Sequence, residues 1–330
     1  MSYHLSLLDK CPVEPGQTTS DALQGSVKLA LRAEALGFQR YWVAEHHNMA
    51  GLASSAPETL IAYLLARTSR IRVGSGGVML QHYSAYKVAE AFNLLASLAP
   101  GRVDLGVGKA PGGFPISTKA LQVAIDPQRK PAFEEQLDDL NRYLSTVPDD
   151  TNLAATPFPT VAPERFLLGA SVESARLAAQ KGWQLVFAGH LNGDPENLRR
   201  TLEAYEAASG GKTAILALAA FVAEDGTAAR QRVSSMRIFK VFLPNGQSVN
   251  VGTEEQAAEF ARQSGFSDYR VEEKVPSILH GTASEVRQEL DGLHRLYGIS
   301  EFILETPALT AAERLLSIEL LAKERLVLAA

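Results

Sequence analysis

Residues 71–107 read IRVGSGGVMLQHYSAYKVAEAFNLLASLAPGRVDLGV, and this stretch indicates the fold class of the chain. Its two ends, Ile71–Gly76 and Val103–Val107, are short runs rich in β-branched and apolar residues, which are typical of buried strands. Between them, Tyr86–Leu98 carries apolar residues at helical spacing, and the proline and glycine that follow end the helix. Because a helical crossover is what joins parallel strands, the two strands are predicted to be parallel.

The same alternation of strand and helix recurs along the whole chain. Six further strands are predicted, at His4–Asp9, Arg40–Ala44, Phe166–Ala170, Gln184–Ala188, Thr213–Ala223 and Glu301–Glu305. Further helices are predicted at Asp21–Leu36, Ala56–Arg67, Pro131–Leu144, Glu173–Lys181, Pro195–Ala208, Ala283–Tyr297 and Thr310–Leu328. Eight strands joined in this way close into a barrel, so the sequence predicts an α/β chain with a TIM-type (β/α)8 fold, as one domain over residues 1–330.

A doubly wound open sheet is the alternative architecture. It is disfavoured because eight strands are counted and no G-x-G-x-x-G motif opens the first helix. Two segments, about 108–164 and 244–282, are longer than ordinary connections between strands and helices. They follow the fourth and seventh strands, and they are predicted to be insertions that act as lids or caps.

Composition and charge narrow the functional class. The chain has 330 residues, with 32 Lys plus Arg against 37 Asp plus Glu, and its formal net charge is -5 at pH 7. This mild acidity argues against a nucleic-acid partner, and no apolar run is long enough to span a bilayer. Cys11 is the one cysteine, which argues against an internal disulfide and a multi-thiolate metal site. With no recognisable signal peptide, a cytoplasmic location is expected.

The second strand leads into four polar residues in a row, Glu45-His46-His47-Asn48. In a barrel, the residues just after each strand line the active-site face. Histidine suits general acid–base chemistry because its ordinary pKa is about 6.5, so His46 and His47 are predicted catalytic residues. The alternative is a hydrogen-bonded polar turn. No metal site is expected, because adjacent residues do not share one face of a helix.

Glycines dominate the ends of the third and fourth strands. Gly76 and Gly77 would let a flat ligand approach the backbone, although a simple bulge or turn explains them equally well. Lys109 lies in a run of glycines from 106 to 113, an arrangement that suits an anion. The run does not match the phosphate-binding loop of nucleoside triphosphatases.

The fifth strand leads into the first turn of a helix, where free backbone N–H groups attract phosphate. Ser171 and Ser174 add hydroxyl groups there, Arg176 adds a positive charge, and Glu173 lies in the same turn. An ordinary N-cap is the alternative interpretation. His190, after the sixth strand, is predicted to face the same mouth of the barrel.

Four other polar residues have less defined places. Glu90 and Asn93 lie within an otherwise apolar helix, either buried near the site or at a helix–helix contact. His82 and Tyr83 follow the third strand and are candidates for a loop beside the site.

Four stretches together resemble the luciferase-like, flavin-dependent monooxygenase family, most closely its small single-chain members. They are RYWVAEHHN at 40–48, IRVGSGGVML at 71–80, YKVAEAFNLLASLAPGRVDLGVGKAPGG at 86–113 and GASVESARLA at 169–178. These motifs are specific jointly rather than singly. The resemblance is strong up to about residue 192, weaker from 193 to 282, and returns with the closing strand and helix.

The resemblance implies a β/α barrel that binds reduced flavin mononucleotide (FMN) or, in some branches, the deazaflavin F420. His46 matches the catalytic histidine of the family, and His47 stands beside it. Gly76 and Gly77 match a pair that often forms a non-proline cis peptide beneath the isoalloxazine ring.

The resemblance also implies contacts to the flavin phosphate. Lys109 matches a position that is usually arginine, and it offers a point charge where arginine offers a fork. Ser174 matches the second phosphate contact, together with the neighbouring helix N-terminus. Glu90 matches a helix carboxylate near the flavin.

The preferred function is a monooxygenase that uses reduced FMN and O2 on a small organic substrate, with a separate flavin reductase supplying the reduced cofactor. In this scheme His46 acts on an oxygen intermediate, and His190 orients the substrate. One alternative is an F420-dependent oxidoreductase that transfers hydride. Another is a non-catalytic flavin-binding or accessory subunit, against which the retained His46 argues. A homodimer through the second and third helices is expected, and the substrate is left open among aldehydes, sulfur compounds, alkyl thioethers and aromatics.

Overall fold

The computed structural model describes residues 3–145, 153–189, 193–307 and 310–327. The strands, in chain order, are β1 His4–Asp9, β2 Arg40–Val43, β3 Arg72–Ser75, β4 Val78–Met79, β5 Val103–Gly108, β6 Glu164–Gly169, β7 Gln184–Ala188, β8 Ile215–Val222, β9 Ile238–Phe242, β10 Ser248–Val251, β11 Arg270–Lys274, β12 Ile278–Gly281 and β13 Glu301–Glu305. The helices are α1 Thr19–Ala35, α2 Pro57–Arg67, α3 Ala85–Leu98, α4 Pro115–Leu121, α5 Phe133–Tyr143, α6 Val172–Gln180, α7 Pro195–Ser209, α8 Gly226–Ser234, α9 Glu254–Gln263, α10 Ala283–Tyr297 and α11 Ala311–Val327. In these parts of the chain, no helix is both long and apolar enough to cross a membrane.

Eight parallel strands close into a barrel in the order β1, β2, β3, β5, β6, β7, β8 and β13. The ring closes between β1 and β13, which pair in register from His4 opposite Glu301 to Leu8 opposite Glu305. The short strands β4 and β12 pair with β5 and β8 beyond the barrel wall. The predicted (β/α)8 fold is therefore confirmed, and each of the eight predicted strands is present with its bounds shifted by no more than two residues.

Helix ends follow from local sequence. Thr18 caps α1 in a reciprocal capping box with Asp21, each side chain binding the other's backbone N–H. Gly298 ends α10 with φ of 67°, a left-handed conformation that favours glycine. These signals explain why the predicted helix bounds lie close to the observed ones.

Two arginines and three carboxylates fill the N-terminal end of the barrel. Arg40 binds Asp104 at 3.0 Å, Glu164 at 2.8 Å and Glu301 at 2.9 Å. Arg72 binds Asp104 at 2.6 Å and Glu164 at 3.1 Å. Because these ion pairs compensate the charge of Glu164, β6 begins at Glu164, two residues before the apolar run that starts at Phe166. An open cavity of about 670 Å³ lies at this end, where the residues of a barrel serve stability rather than catalysis.

The first insertion, between β5 and β6, contains two helices. The predicted helix Pro131–Leu144 is present as α5, Phe133–Tyr143. Helix α4, Pro115–Leu121, was not predicted from the sequence, because it is only two turns long and its residues make no clear apolar stripe.

The second insertion begins earlier and ends earlier than the predicted range of about 244–282. Its antiparallel sheet, in the order β10, β9 and β11, starts at Ile238, and α9 packs against it. Strand β12 pairs with β8 and so belongs to the barrel sheet. The insertion starts earlier because the apolar run IFKVF forms β9, in which Val241 is buried against the apolar side of α9.

The two insertions contact each other. The rings of Phe114 and Phe260 meet edge to face with centroids 5.8 Å apart. The backbone N–H of Ile116 donates to Oε1 of Gln263 at 3.0 Å. Because both insertions leave the barrel from the C-terminal ends of strands, they lie on the side of its mouth.

Candidate active site

Small residues occupy most inward positions at the mouth of the barrel. Alternate residues of a strand face the same side, and Leu8, Trp42, Phe166 and Ile303 form the apolar interior. The inward positions toward the mouth are then Ala44, Gly76, Gly108, Leu168, Ala188 and Ala217, and β8 continues on the same side with Ala219 and Phe221. A Cβ atom on Gly108 would meet nothing within 4 Å. The mouth therefore has room for a flat ligand.

Glu45 is completely buried at the end of the second barrel strand. Its Oε1 lies 2.7 Å from Nε2 of His47 and accepts from the Tyr83 hydroxyl at 2.8 Å. Its Oε2 accepts from the backbone N–H of Met79 at 3.1 Å. A buried carboxylate needs such partners because its desolvation is costly. Since the carboxylate accepts, the His47 imidazole is held with its proton on Nε2.

The Tyr83 hydroxyl donates to Glu45 in this cluster. Burial and then the charge of Glu45 raise the pKa of Tyr83 well above its ordinary range, so its hydroxyl stays protonated. Glu45 thereby ties the end of β2 to the loop after β3.

The backbone of the glycine-rich loop after β5 holds the other side of His47. The backbone N–H of His47 donates to the Gly112 carbonyl at 2.8 Å. A Cβ atom on Gly113 would lie 2.6 Å from the His47 carbonyl oxygen, so only glycine allows this approach.

His46 stands at the mouth beside this cluster. It follows Trp42 and Ala44 of the barrel interior at intervals of two residues, and its Nδ1 atom is buried. Its backbone N–H donates to the Ser54 carbonyl at 2.8 Å. The structure thus places both His46 and His47 at the mouth, while their catalytic roles stay a prediction.

The peptide bond between Gly76 and Gly77 is cis, as the family resemblance implied. A Cβ atom on Gly76 would lie 2.6 Å from Cδ1 of Leu8, and one on Gly77 would lie 2.7 Å from the Gly106 carbonyl oxygen. The backbone contact requires glycine at position 77, whereas a side chain at position 76 would need the Leu8 side chain to move. Their part in binding a cofactor stays a prediction.

The N-terminus of α6 presents two hydroxyl groups. Ser171 caps the helix by accepting from the Ser174 backbone N–H at 3.2 Å, and the two Oγ atoms are 3.2 Å apart. Glu173 and Arg176 are exposed on the same turn. The Glu173 backbone N–H and the Ser171 hydroxyl lower the pKa of Glu173, which is thus an anion. An anionic ligand would meet the backbone of Glu173 rather than its side chain.

Lys109 lies on the same rim as this helix terminus. Strands β5 and β6 pair with Val107 opposite Leu167, so Lys109 and the residues that precede α6 leave neighbouring strands. The side chain of Lys109 is exposed, and its carbonyl accepts from the Gln81 amide at 2.8 Å. An ammonium, two hydroxyls and helix N–H groups on one rim fit a phosphate group.

One predicted site residue, Glu90, makes an ion pair outside this group. Glu90 lies on α3, where it binds Lys87 at 3.2 Å. The same helix packs against α5, and Asn93 donates to the Ala155 carbonyl at 2.7 Å. Asn93 is therefore buried, as one prediction had it, but it binds the connector before β6 rather than a second helix. His190 falls outside the described residues.

Sequence reasoning gave no role to several residues that the structure assembles. The most buried is Glu45, whose place directly after a strand was the available signal. His82 lies 2.8 Å from both the Pro111 carbonyl and the Gln122 amide nitrogen, and burial lowers its pKa. A neutral His82 therefore links the first insertion to the loop after β4.

An ion pair between the first and last barrel strands was also missed. Nζ of Lys10 lies 2.6 Å from Oε1 of Glu305, and the two side chains are 29% and 15% exposed. Lys10 follows β1 directly and Glu305 ends β13, so each stands where a strand reaches the mouth.

Known proteins resemble this chain over nearly its whole length. A sequence profile of the luciferase-like monooxygenase family matches residues 1–299. The N-acetyl-S-alkylcysteine monooxygenase of Bacillus subtilis is 45% identical over 326 residues, which cover 96% of each protein.

Solved structures show the same architecture. The apo form of MsnO8 superposes with a TM-score of 0.78 at 30% identity, covering 97% of this chain and 98% of that one. The oxygenating constituent of the 3,6-diketocamphane monooxygenase from Pseudomonas putida, in complex with FMN, has a TM-score of 0.68 at 18% identity, covering 98% of each. An F420-dependent secondary alcohol dehydrogenase has a TM-score of 0.63 at 17% identity, covering 97% of this chain and 98% of that one. By its family profile and its closely similar relative, the chain belongs to the luciferase-like monooxygenase family.

Proposed function

We propose that this chain is a monooxygenase that uses reduced FMN and O2 to oxygenate a small organic thioether. One observation supports the proposal above the others: two histidines stand at the barrel mouth, and a fully buried Glu45 fixes the imidazole of His47. A purely structural turn has no need of this costly buried charge, whereas a catalytic group benefits from a fixed orientation.

The rim of the mouth fits the phosphate of FMN. Lys109, Ser171 and Ser174 would bind the phosphate oxygens together with the first N–H groups of α6, and Arg176 adds a second positive charge nearby. Gly76 and Gly77 leave the ring region free of side chains. When bound, reduced FMN supplies two electrons, so that one oxygen atom of O2 enters the substrate and the other leaves as water.

The protein's own residues would transfer or hold protons at the site and exclude water from it. His46 would donate a proton or a hydrogen bond to oxygen during the reaction, as general acids do near neutral pH. His47 holds its proton at Nε2 against Glu45 and so presents its other ring nitrogen in a fixed direction. The two insertions cover the mouth and exclude water from it.

The substrate class follows from similarity. The relative that is 45% identical is named for N-acetyl-S-alkylcysteine, a thioether that carries an amide and a carboxylate. Identity at this level over 96% of both chains supports a related thioether for this chain.

An F420-dependent hydride transfer is the second candidate. A structure of the same fold, the F420-dependent secondary alcohol dehydrogenase, holds an F420–acetone adduct, and a lysine at position 109 would bind a phosphate less specifically than arginine. A non-catalytic or accessory subunit is the third, and the ordered pair His46 and His47 argues against it.

Partners follow from the same proposal. A separate flavin reductase would supply reduced FMN in the cytoplasm, since the sequence has no nicotinamide-binding G-x-G-x-x-G motif. A homodimer through α2 and α3 would cover three exposed apolar residues, Tyr63, Leu94 and Leu98. Light scattering at micromolar concentration would show a dimer of about twice the 35.6 kDa chain mass.

Anaerobic titration separates the cofactors. We expect the purified chain to bind reduced FMN more tightly than oxidised FMN or F420, and Lys109→Ala to weaken binding of reduced FMN. Tight binding of F420 without binding of FMN would overturn the proposal in favour of hydride transfer. Binding of FMN without oxygenation of any thioether would favour the accessory role.

A further inference from the structure

The Lys10–Glu305 pair faces the interior of the barrel mouth. Leu8 and Ile303 belong to the apolar interior, and Glu305 stands two residues after Ile303 on β13. Leu8 and Glu305 are also partners in the strand register, so they point to the same side, and Lys10, directly after β1, binds Glu305 there. The pair therefore lies beside the apolar interior, and β1 is the neighbour of β2, the strand that leads to His46.

Its neighbours make this pair distinctive. At the ends of the described barrel strands, the other inward positions are alanine, glycine, leucine or phenylalanine, apart from His46, which follows β2. Lys10 is thus the one inward residue there with a permanent positive charge. Lys109 and Arg176 stand on the outer rim, where the proposed phosphate site uses them.

Barrel closure does not need the pair. Five residue pairs of backbone register already join β1 to β13. A partly exposed ion pair adds little to stability because solvent screens it and the side chains lose freedom. By contrast, Asp9 turns outward to Arg314 and Tyr41, and that cluster is fully buried between the barrel and its helices.

We propose that Lys10 and Glu305 form the substrate subsite for a carboxylate that has an amide N–H on the adjacent carbon. The Lys10 ammonium binds the carboxylate, and the Glu305 carboxylate accepts the amide N–H. This inference rests on the proposed thioether oxygenation, and it adds the residues that would recognise an N-acylated amino acid.

The pair also explains why both groups of the ligand matter. When a ligand carboxylate binds the Lys10 ammonium, it competes with Glu305 for that ammonium and is repelled by the Glu305 carboxylate, and a donor on the ligand offsets this repulsion. An amide N–H on the next carbon supplies that donor. A simple thioether acid lacks it, and an ester lacks the anion, so both should bind more weakly.

The test uses three probes on the full chain. They are N-acetyl-S-methyl-L-cysteine, its methyl ester, and 3-(methylthio)propanoic acid, which has no amide. Equilibrium binding is measured by calorimetry without reduced flavin, and KM and kcat are measured with reduced FMN and O2. Lys10→Gln should raise Kd and KM for the N-acetyl acid roughly 10- to 100-fold with little change in kcat, since it removes a charged hydrogen bond of binding.

The ester shows whether the effect is local. Lys10→Gln should leave its KM within about twofold of the wild type, because the ester has no carboxylate to lose a partner. Glu305→Gln should reduce the preference for the N-acetyl acid over 3-(methylthio)propanoic acid. Arg32→Gln is the matched control, since Arg32 and Glu319 form a 2.6 Å pair between α1 and α11 on the outside.

The outcomes distinguish the subsite from the proposed function. Equal effects of Lys10→Gln on acid and ester, no effect on either, or the same effect in Arg32→Gln would overturn the subsite. If the wild type oxygenates the acid and Lys10→Gln does so with unchanged KM, the subsite fails while the function stands. If the wild type binds the acid through Lys10 but oxygenates no probe, the function fails while the subsite stands.

Discussion

His46 and His47 are neighbours in sequence, but their surroundings give them different tasks. The imidazole of His47 is fixed by Glu45 at 2.7 Å, and its backbone by the loop after β5. His46 lies on the inward side of the second strand's end. The fixed imidazole of His47 suits the positioning of other groups at the site, and the inward imidazole of His46 suits proton transfer to a bound ligand.

Replacing His46 should therefore impair chemistry more than binding. We expect His46→Ala to lower kcat about 100- to 10,000-fold, the usual contribution of a general acid or base. Binding of reduced FMN should change little, because the phosphate site lies on other strands. Steady-state kinetics with N-acetyl-S-methyl-L-cysteine would check this, and turnover equal to the wild type would show that His46 has no catalytic role.

Replacing Glu45 tests the positioning of His47. In Glu45→Gln the side chain keeps its shape, but an NH2 group replaces one carboxylate oxygen. That group cannot accept the hydrogen bonds that the carboxylate accepted from Met79, Tyr83 and His47. We expect a loss of about 1–3 kcal/mol in the free energy of unfolding and a clear fall in kcat. Urea unfolding and kinetics would measure both.

Glu203→Gln is the matched control for this change. Glu203 binds Arg199 on the exposed face of α7, so its loss should change stability by less than about 1 kcal/mol and leave kcat unaltered. If Glu45→Gln behaved like this control, the buried network would have no role in ordering the site.

At the scale of elements, the connection from α1 to β3 depends on one carboxylate. Glu34 accepts from the backbone N–H groups of Ser69 at 2.9 Å, Arg70 at 2.6 Å and Ile71 at 3.0 Å. Partial burial acts to raise the pKa of Glu34, but these three N–H groups outweigh it and lower the pKa from 4.5 to about 2. The turn before β3 is thereby fixed against the end of α1.

This lowered pKa gives the stability of the protein a pH dependence. A carboxyl whose folded pKa is depressed adds stability that is complete above its unfolded value and is lost as the pH falls toward the folded value. We expect Glu34→Gln to destabilise the chain by about 2 kcal/mol at pH 7, with the difference shrinking between about pH 4.5 and pH 2. Urea unfolding across this range would measure it.

Glu259→Gln provides the control. The side chains of Arg262 and Gln263 also lower the pKa of Glu259 to about 2, but this carboxyl is exposed on α9, where solvent screens its partners. Its replacement should affect stability far less. A pH-independent effect of Glu34→Gln would contradict the assigned hydrogen bonds.

At the scale of the whole molecule, the barrel presents one end to stability and the other to chemistry. Paired arginines and carboxylates occupy the N-terminal end, and the two insertions leave the barrel at its C-terminal end. Phe260 is nearly buried and contacts Phe114, so it joins the second insertion to the first.

Weakening this contact should admit water to the mouth. We expect Phe260→Ala, which removes a packed aromatic worth about 3 kcal/mol or more, to increase the H2O2 formed per substrate oxygenated, because water exclusion protects the reaction. Leu296→Ala, at a 70% exposed position on α10, is the control and should leave this ratio unchanged. An unchanged ratio in Phe260→Ala despite faster proteolysis of residues 238–274 would show that the insertion does not seal the site.

The barrel was predictable because its strands are buried on both faces and so read as continuous apolar runs. The histidine pair and the glycines were predictable because they directly follow such runs. The partners of Glu45 and the Lys10–Glu305 pair were not predictable, because these contacts join residues that are far apart in sequence. The sheet of the second insertion was missed because β9 and β11 pair across 27 intervening residues that include a helix.

We propose above all that this chain transfers an oxygen atom from O2 by means of reduced FMN. The most direct test is to incubate the wild type with N-acetyl-S-methyl-L-cysteine, reduced FMN and 18O2, and to analyse the organic products by mass spectrometry. We expect one 18O atom per molecule of substrate converted, and no conversion without reduced FMN. Conversion without the label, or conversion that needs F420 in place of FMN, would contradict it.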